Sequence, residues 1–295
     1  MNTPLPFLDI EVTDDAVRDT FNSIAIPSCP TVIVRLIDAV RKDAADLKVL
    51  APLIATDVGL AASVLRLANS PFFKLPTKAQ SIQAAVSVLG LRNLVRIAYN
   101  VTLHQSLGRS SNIAMERFWN RSALKPIAAA SLASTLSMRS ADDAYTFGLF
   151  SDAGIAVLMQ RFANYKETLA LANQSLDRFT DAEDERHKIN HALVGAMLAH
   201  QWHLPPSVYR AIGHHHDFRI FAATPAAVND ATLDLVALGV VADFIVSRFL
   251  KVEHDAEWPH VAPIAVAHLG ITLEQLDDLY QSIVPELDEA KQYRG

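Results

Sequence analysis

Apolar residues return at three- and four-residue intervals along almost the whole of this chain, and they nowhere alternate with polar ones over the length of a strand. That periodicity confines the fold to packed helices. After Ile26-Pro-Ser-Cys-Pro30, where prolines suit a helix start, Val32, Ile33, Leu36, Ile37 and Val40 share one helical face. A second stripe runs through Leu47, Leu50, Leu53 and Ile54. A third follows Asp57, a candidate N-cap, with Leu60, Val64, Leu65 and Leu67 on its core side and Asn69-Ser-Pro71 as its stop. Ser81 caps a segment that ends before Gly90, and residues 91–107 continue with Leu94, Val95, Ala98 and Val101 inward.

The second half keeps the same period. Residues 112–137 are helical and Ala-rich, with Pro126 predicting a kink and Trp119 assigned to the core. Helices are expected over 142–150, 152–161 and 166–173, then one long helix from about Asp181 to Gln201, stopped by Leu204-Pro-Pro206. A short helix over 208–214, a loop over 217–229 and an apolar helix over 233–249 follow, the last carrying Leu235, Leu238, Val241, Ala242 and Ile245. Closing helices fall at 264–269 and 273–283. The expected class is all-α, with residues 1–13 a flexible lead-in, 14–110 an N-terminal helical lobe and 111–295 a second helical lobe with C-terminal helices, together one compact unit.

Composition narrows the function classes. At 295 residues with 51% hydrophobic side chains, a large core is available. A net charge of −6 without a dense Lys/Arg block argues against a DNA surface. The single Cys29 precludes an intrachain disulfide and suits a reducing cytoplasm. No apolar run reaches the length of a membrane span, and no basic leader precedes an apolar segment, so neither span nor signal peptide is expected. The apolar excess favours a homo-oligomer.

Chemistry concentrates around Phe147-Gly-Leu-Phe-Ser-Asp152, where Gly148 and Gly154 permit close backbone approach and Ser151-Asp152 set two polar side chains into an apolar face. A carboxylate in such a place needs a partner, because an unpaired one costs several kcal/mol or takes up a proton. Histidines cluster too: His187 with His191, His200 with His203, and His214-His215-His216. The pair at 187 and 191 is not a zinc-protease motif, since Lys188 stands where that motif needs Glu.

The order Ile26-Pro…Pro30, Thr56-Asp57-Val-Gly-Leu-Ala…Leu65-Arg-Leu-Ala-Asn-Ser70, Ser81-Ile…Leu89-Gly90, Phe118-Trp119, Gly148-Leu-Phe-Ser-Asp152, His191-Ala-Leu-Val-Gly-Ala196, Trp202…Leu204-Pro205 and His214-His215 resembles the HDOD domain. The resemblance implies an HD-domain-like helical bundle and a bacterial signal-transduction module related to the HD phosphohydrolases. Those enzymes hold a metal with a His, a His-Asp pair and a distal Asp, plus further histidines where they cleave cyclic dinucleotides. By the same resemblance, Arg121 stands in the first His slot and Ser151 in place of the paired His. Asp152, His191, His214 or His215, and Asp243 match the remaining positions.

Half a ligand set, with a guanidinium in one slot, predicts a degenerate pocket without metal, cofactor or catalytic residues. An ion pair of the Arg121–Asp152 type is expected in the cation's place. The expected function is non-enzymatic regulation through an unidentified signalling partner, with a nucleotide as a further candidate ligand and Arg139 or Arg161 as additional phosphate contacts. The alternatives are a residual metal-dependent phosphohydrolase and a nucleotide or cyclic-dinucleotide sensor. Phe72 and Phe73 are expected to pack their loop onto the neighbouring lobe.

Overall fold

The computed structural model describes residues 3–5, 10–12, 20, 23–41, 47–69, 77–108, 113–138, 141–175, 178–222, 229–252 and 256–292. Phe72, Phe73 and Arg139 lie outside them. The chain divides into two units, residues 27–110 and residues 1–26 with 111–295.

In the first unit, α1 (Thr31–Arg41), α2 (Leu47–Ala55) and α3 (Val58–Ala68) pack against the long α4 (Ile82–Leu107). The Asp57 carboxylate accepts from the Leu60 amide at 2.8 Å and Ser81 caps α4 through the Ala84 amide at 3.2 Å. Each satisfies one of the amides a helix start leaves without a partner. Gly90 sits inside α4 with φ +70°, a left-handed geometry that glycine adopts without Cβ strain, and the helix kinks there. Ile33, Leu36, Leu60, Val64, Leu94 and Ala98 are buried, whereas Leu65 and Leu67 are only half-buried. The Asn69 side chain pairs with the Ala79 backbone: its amide donates to the Ala79 carbonyl at 3.0 Å and its carbonyl accepts from the Ala79 amide at 2.7 Å.

The second unit is built from α5 (Ile113–Thr135), α6 (Ala141–Phe150), α7 (Ala153–Arg161), α8 (Tyr165–Ala172), α9 (Asp181–His187), α10 (His191–Gln201), α11 (Pro206–His214), α12 (Asp230–Leu250), α13 (Trp258–His268) and α14 (Gln275–Gln292). α5 packs on α6, α12 and α14, while α10 packs on α7 and α11. Leu235, Leu238, Val241, Ala242 and Ile245 are all buried along α12, as their spacing requires. No single helix among the described residues is long and apolar enough to cross a membrane.

Three local expectations are corrected. Residues Thr3–Leu5 (β1) and Ile10–Val12 (β2) pair as a small antiparallel ribbon, where no strand was expected. Three-residue strands are too short to show an alternating pattern. The loop expected over 217–229 contains a 3-10 turn at Phe218–Ala222. The long helix expected over 181–201 is two helices: Lys188 turns left-handed at φ 59°, and the Asn190 side chain caps α10 through the Leu193 amide at 2.9 Å. A short polar residue that can satisfy a bare helix start locally makes this break inexpensive.

Candidate functional site

Two glycines set the spacing of the helices that carry the site. A Cβ on Gly148 would lie 2.8 Å from the Pro126 Cα and 3.0 Å from the Lys125 carbonyl, so α6 rides directly on the backbone of α5 at Lys125. A Cβ on Gly154 would lie 2.0 Å from the His191 carbonyl oxygen, so α7 touches the backbone of α10. Between those two contacts comes Ser151-Asp152, which turns the chain from α6 into α7. Asp152 is thereby delivered to Lys125 on one side and to the start of α10 on the other.

The expected partner of Asp152 was Arg121; the structure gives it Lys125. The Lys125 ammonium lies 3.0 Å from Asp152 Oδ2 and 2.8 Å from Asp243 Oδ2, and the residue is only 1% exposed. Arg121, one turn earlier on α5, reaches the other oxygen of Asp243 at 3.1 Å. Burial opposes charge on Lys125, but the two carboxylates outweigh it and raise its pKa, so it is a fixed cation. Burial would likewise raise the Asp152 carboxyl. The Lys125 ammonium and a hydrogen bond from His215 hold it well below the usual carboxylate range instead.

A second, imidazole-rich layer adjoins this bridge. The Nε2 atoms of His191 and His215 are 3.2 Å apart, and His215 Nε2 is 3.5 Å from Asp152 Oδ1. Of the pair His214 and His215, it is thus His215 that turns to Asp152; His214 is half-buried at the end of α11. His191, wholly buried, donates from Nδ1 to Glu183 at 2.7 Å, and its backbone amide donates to the same oxygen at 3.2 Å. The other oxygen of Glu183 accepts from the Tyr165 hydroxyl. Burial works against ionised Glu183, yet His191 and these hydrogen bonds keep it below its ordinary value; reciprocally, Glu183 raises His191 against the same burial. His216 bonds Glu257 through Nδ1 at 2.9 Å and stacks on Phe179 at 4.8 Å between ring centres; burial pushes its pKa well below the ordinary range.

Ser151 is fully buried, and its Oγ finds no hydrogen-bond partner among the described residues. A cleft of about 890 Å³ opens beside this layer, lined by Asp152, His191, His216, Phe179, Arg121 and Lys166 among others. Cys29 belongs to the other unit, and burial pushes its thiol up to about 11, the opposite of activation.

Arg121, Asp152, His191, His215 and Asp243 therefore converge, with Ser151 behind them. Sequence reasoning missed Lys125, Glu183, His216 and Glu257. Lys125 carried a readable signal, a lone charge in the apolar run Ser122-Ala-Leu-Lys-Pro-Ile127. Glu183 carried none, since it lies in the charged run Asp181-Ala-Glu-Asp-Glu-Arg186, which has the pattern of a solvated face.

Several solved structures share this fold. A candidate phosphohydrolase of Shewanella amazonensis superposes with a TM-score of 0.69 at 21% identity, covering 95% of this chain and 99% of that one. An HDOD domain protein of unknown function from Geobacter sulfurreducens gives 0.66 at 20% identity, covering 93% and 97%. A candidate signal-transduction protein of Marinobacter aquaeolei gives 0.71 at 20% identity, covering 94% of this chain and 64% of the other. An uncharacterised protein of Treponema pallidum is 27% identical over 204 residues, 65% of this chain but 38% of that relative, so this chain spans well under half its length. The HDOD domain family's sequence model matches residues 26–218, which takes in α1 to α11 with Asp152, His191 and His215, and on that match the chain belongs to the HDOD domain family.

Proposed function

We propose that this chain is a regulatory HDOD module that does not hydrolyse phosphoesters and acts through contacts with protein partners. The Lys125 bridge carries the reading. A metal of the HD phosphohydrolase kind would need Asp152 and Asp243 as ligands, and both already accept from one buried ammonium, with Arg121 on the second. A lysine ammonium and an arginine guanidinium have no lone pair to offer a cation and repel it. The residues present do not fit a metal between those two carboxylates, and without one there is no activated water for hydrolysis there. The likeness to a candidate signal-transduction protein supports a regulatory role.

The reading is tested with bis-p-nitrophenyl phosphate and a cyclic dinucleotide, each with manganese or ferrous ion. No turnover above a no-protein control is expected. Turnover that disappears in Asp152→Asn would overturn it.

A small anionic effector is a second reading, favoured by the cleft. Arg121 and Lys166 bring positive charge to it, while Phe118, Ile155, Met159 and Leu169 bring apolar wall. An aromatic ring beside a phosphate would meet both kinds of surface. Titration calorimetry with a panel of mono-, di- and cyclic nucleotides is expected to show saturable heat that Arg121→Ala reduces. A flat response across the panel removes this reading.

A further inference from the structure

The cleft beside the Lys125 bridge has a charge pattern that selects among anions. Its floor is electrically balanced. Asp152 and Asp243 are met there by Lys125 and Arg121, two carboxylates against two cations, while His191 is matched by Glu183 and burial holds His216 neutral. One lining cation is left over. Lys166, exposed on α8, makes no ion pair among the described residues, and the adjacent Glu167 turns to Arg186 at 3.5 Å instead. The cleft therefore offers a ligand one uncompensated positive charge, and it offers that charge at its rim.

The walls are aliphatic. Ile155 and Met159 come from one face of α7, Leu169 and Ala170 from α8, and Leu250 and Val252 from the end of α12 and the residues just past it. Lys166 stands one turn before Leu169 and Ala170 on the same face of α8, so a head group on its ammonium would hand an attached chain directly to the apolar wall. Val252 is 47% exposed, and a chain lying over it would remove that apolar surface from water. The volume, about 890 Å³, falls within the range of small-molecule clefts, about 300–1,000 Å³.

A phosphate monoester brings up to about two negative charges, more than the one cation left over. A carboxylate on an alkyl chain brings one, and its flexible body conforms to side-chain walls drawn from several helices. We propose that the cleft binds a monocarboxylate of the fatty-acid kind, with its head on Lys166 and its chain along Ile155, Met159, Leu169 and Val252. This inference rests on the reading of the cleft as an effector site and names the class of anion it takes. A nucleotide would compete for the same ammonium.

The test is titration calorimetry on the full chain with hexanoate, octanoate and decanoate, each below its micellar concentration. One ligand per chain is expected, with affinity rising by up to about fourfold for each added methylene, the gain from burying one such group. Octanol and octylammonium, which keep the chain and change the head, should bind at least tenfold more weakly than octanoate. Lys166→Glu should weaken octanoate at least tenfold, Met159→Asp should do the same by charging the wall, and Lys78→Glu, exposed and outside the lining, should leave it unchanged. Decanoate should also raise the melting temperature of the unaltered chain, as a ligand of the native state does, and should not raise that of Lys166→Glu. If Met159→Asp does not fold, Lys166→Glu and the chain-length series decide. Affinity that does not rise with chain length, octanol binding as tightly as octanoate, or undiminished binding in Lys166→Glu would each overturn the proposal. No heat from any carboxylate alongside saturable nucleotide heat would sink this inference and leave the effector reading standing; no heat from either class would remove both.

Discussion

Replacing Lys125 with methionine is expected to cost about 3 kcal/mol of stability at neutral pH, although the two side chains have nearly the same shape. Removing one partner of a buried ion pair leaves the other uncompensated, and such losses run to about 3–5 kcal/mol. The lower figure applies because Asp243 keeps Arg121 and is partly exposed. Asp152 loses its principal cation. Urea unfolding followed by tryptophan fluorescence is a suitable measurement, because Trp119, Trp202 and Trp258 all lie in the unit that contains Lys125.

The pH dependence separates charge from packing. In the unaltered protein the Asp152 pKa is depressed, so its contribution is complete above the ordinary carboxylate value of about 4 and is lost as pH falls through the lower folded value. In Lys125→Met, burial dominates and raises the same carboxyl, so protonation relieves the variant. The gap between the two proteins should therefore narrow as the pH falls through about 4. A gap below 1 kcal/mol at pH 7, or one that stays constant on acidification, would show that the bridge does not hold these helices.

Gly154→Ala is expected to be at least as damaging, at about 3 kcal/mol or more. The added methyl would stand 2.0 Å from the His191 carbonyl oxygen, 2.8 Å from the Gly195 amide nitrogen and 2.9 Å from the His191 carbonyl carbon. All three are backbone atoms, so no rotamer change relieves the clash, and α7 must lift off α10. Overpacking in a well-packed core ordinarily costs about 1–3 kcal/mol, and a backbone collision lies at the top of that range or above it. Gly148→Ala meets backbone at 2.8 Å and should cost less. Equal, small losses for the two alanine variants would mean that the α7–α10 contact has room to give.

How much of this was legible beforehand follows from the range of each interaction. The α12 stripe, the caps at Asp57 and Ser81, the kink at Gly90 and the close approaches at Gly148 and Gly154 are local or periodic features, and the residue order carries them. Asp152 could be identified as a carboxylate in need of a cation, because an ionised group in an apolar run must be paired. Which cation serves could not. Arg121 and Lys125 are one turn apart on α5, so both face the same way, and only the height of α6 above that helix puts Lys125 between the two carboxylates.

The chain's order of residues by itself determined that this protein is helical, where most of its helices start, and that Ser151-Asp152 would lie at a buried turn, because those properties depend on neighbours within a few positions. Tertiary structure alone decided that Glu183 would leave its charged run to hold His191, and that three histidines and Asp152 would face one another. Each of those depends on groups from separate helices meeting in space, where burial makes an unmatched charge or donor too costly to keep.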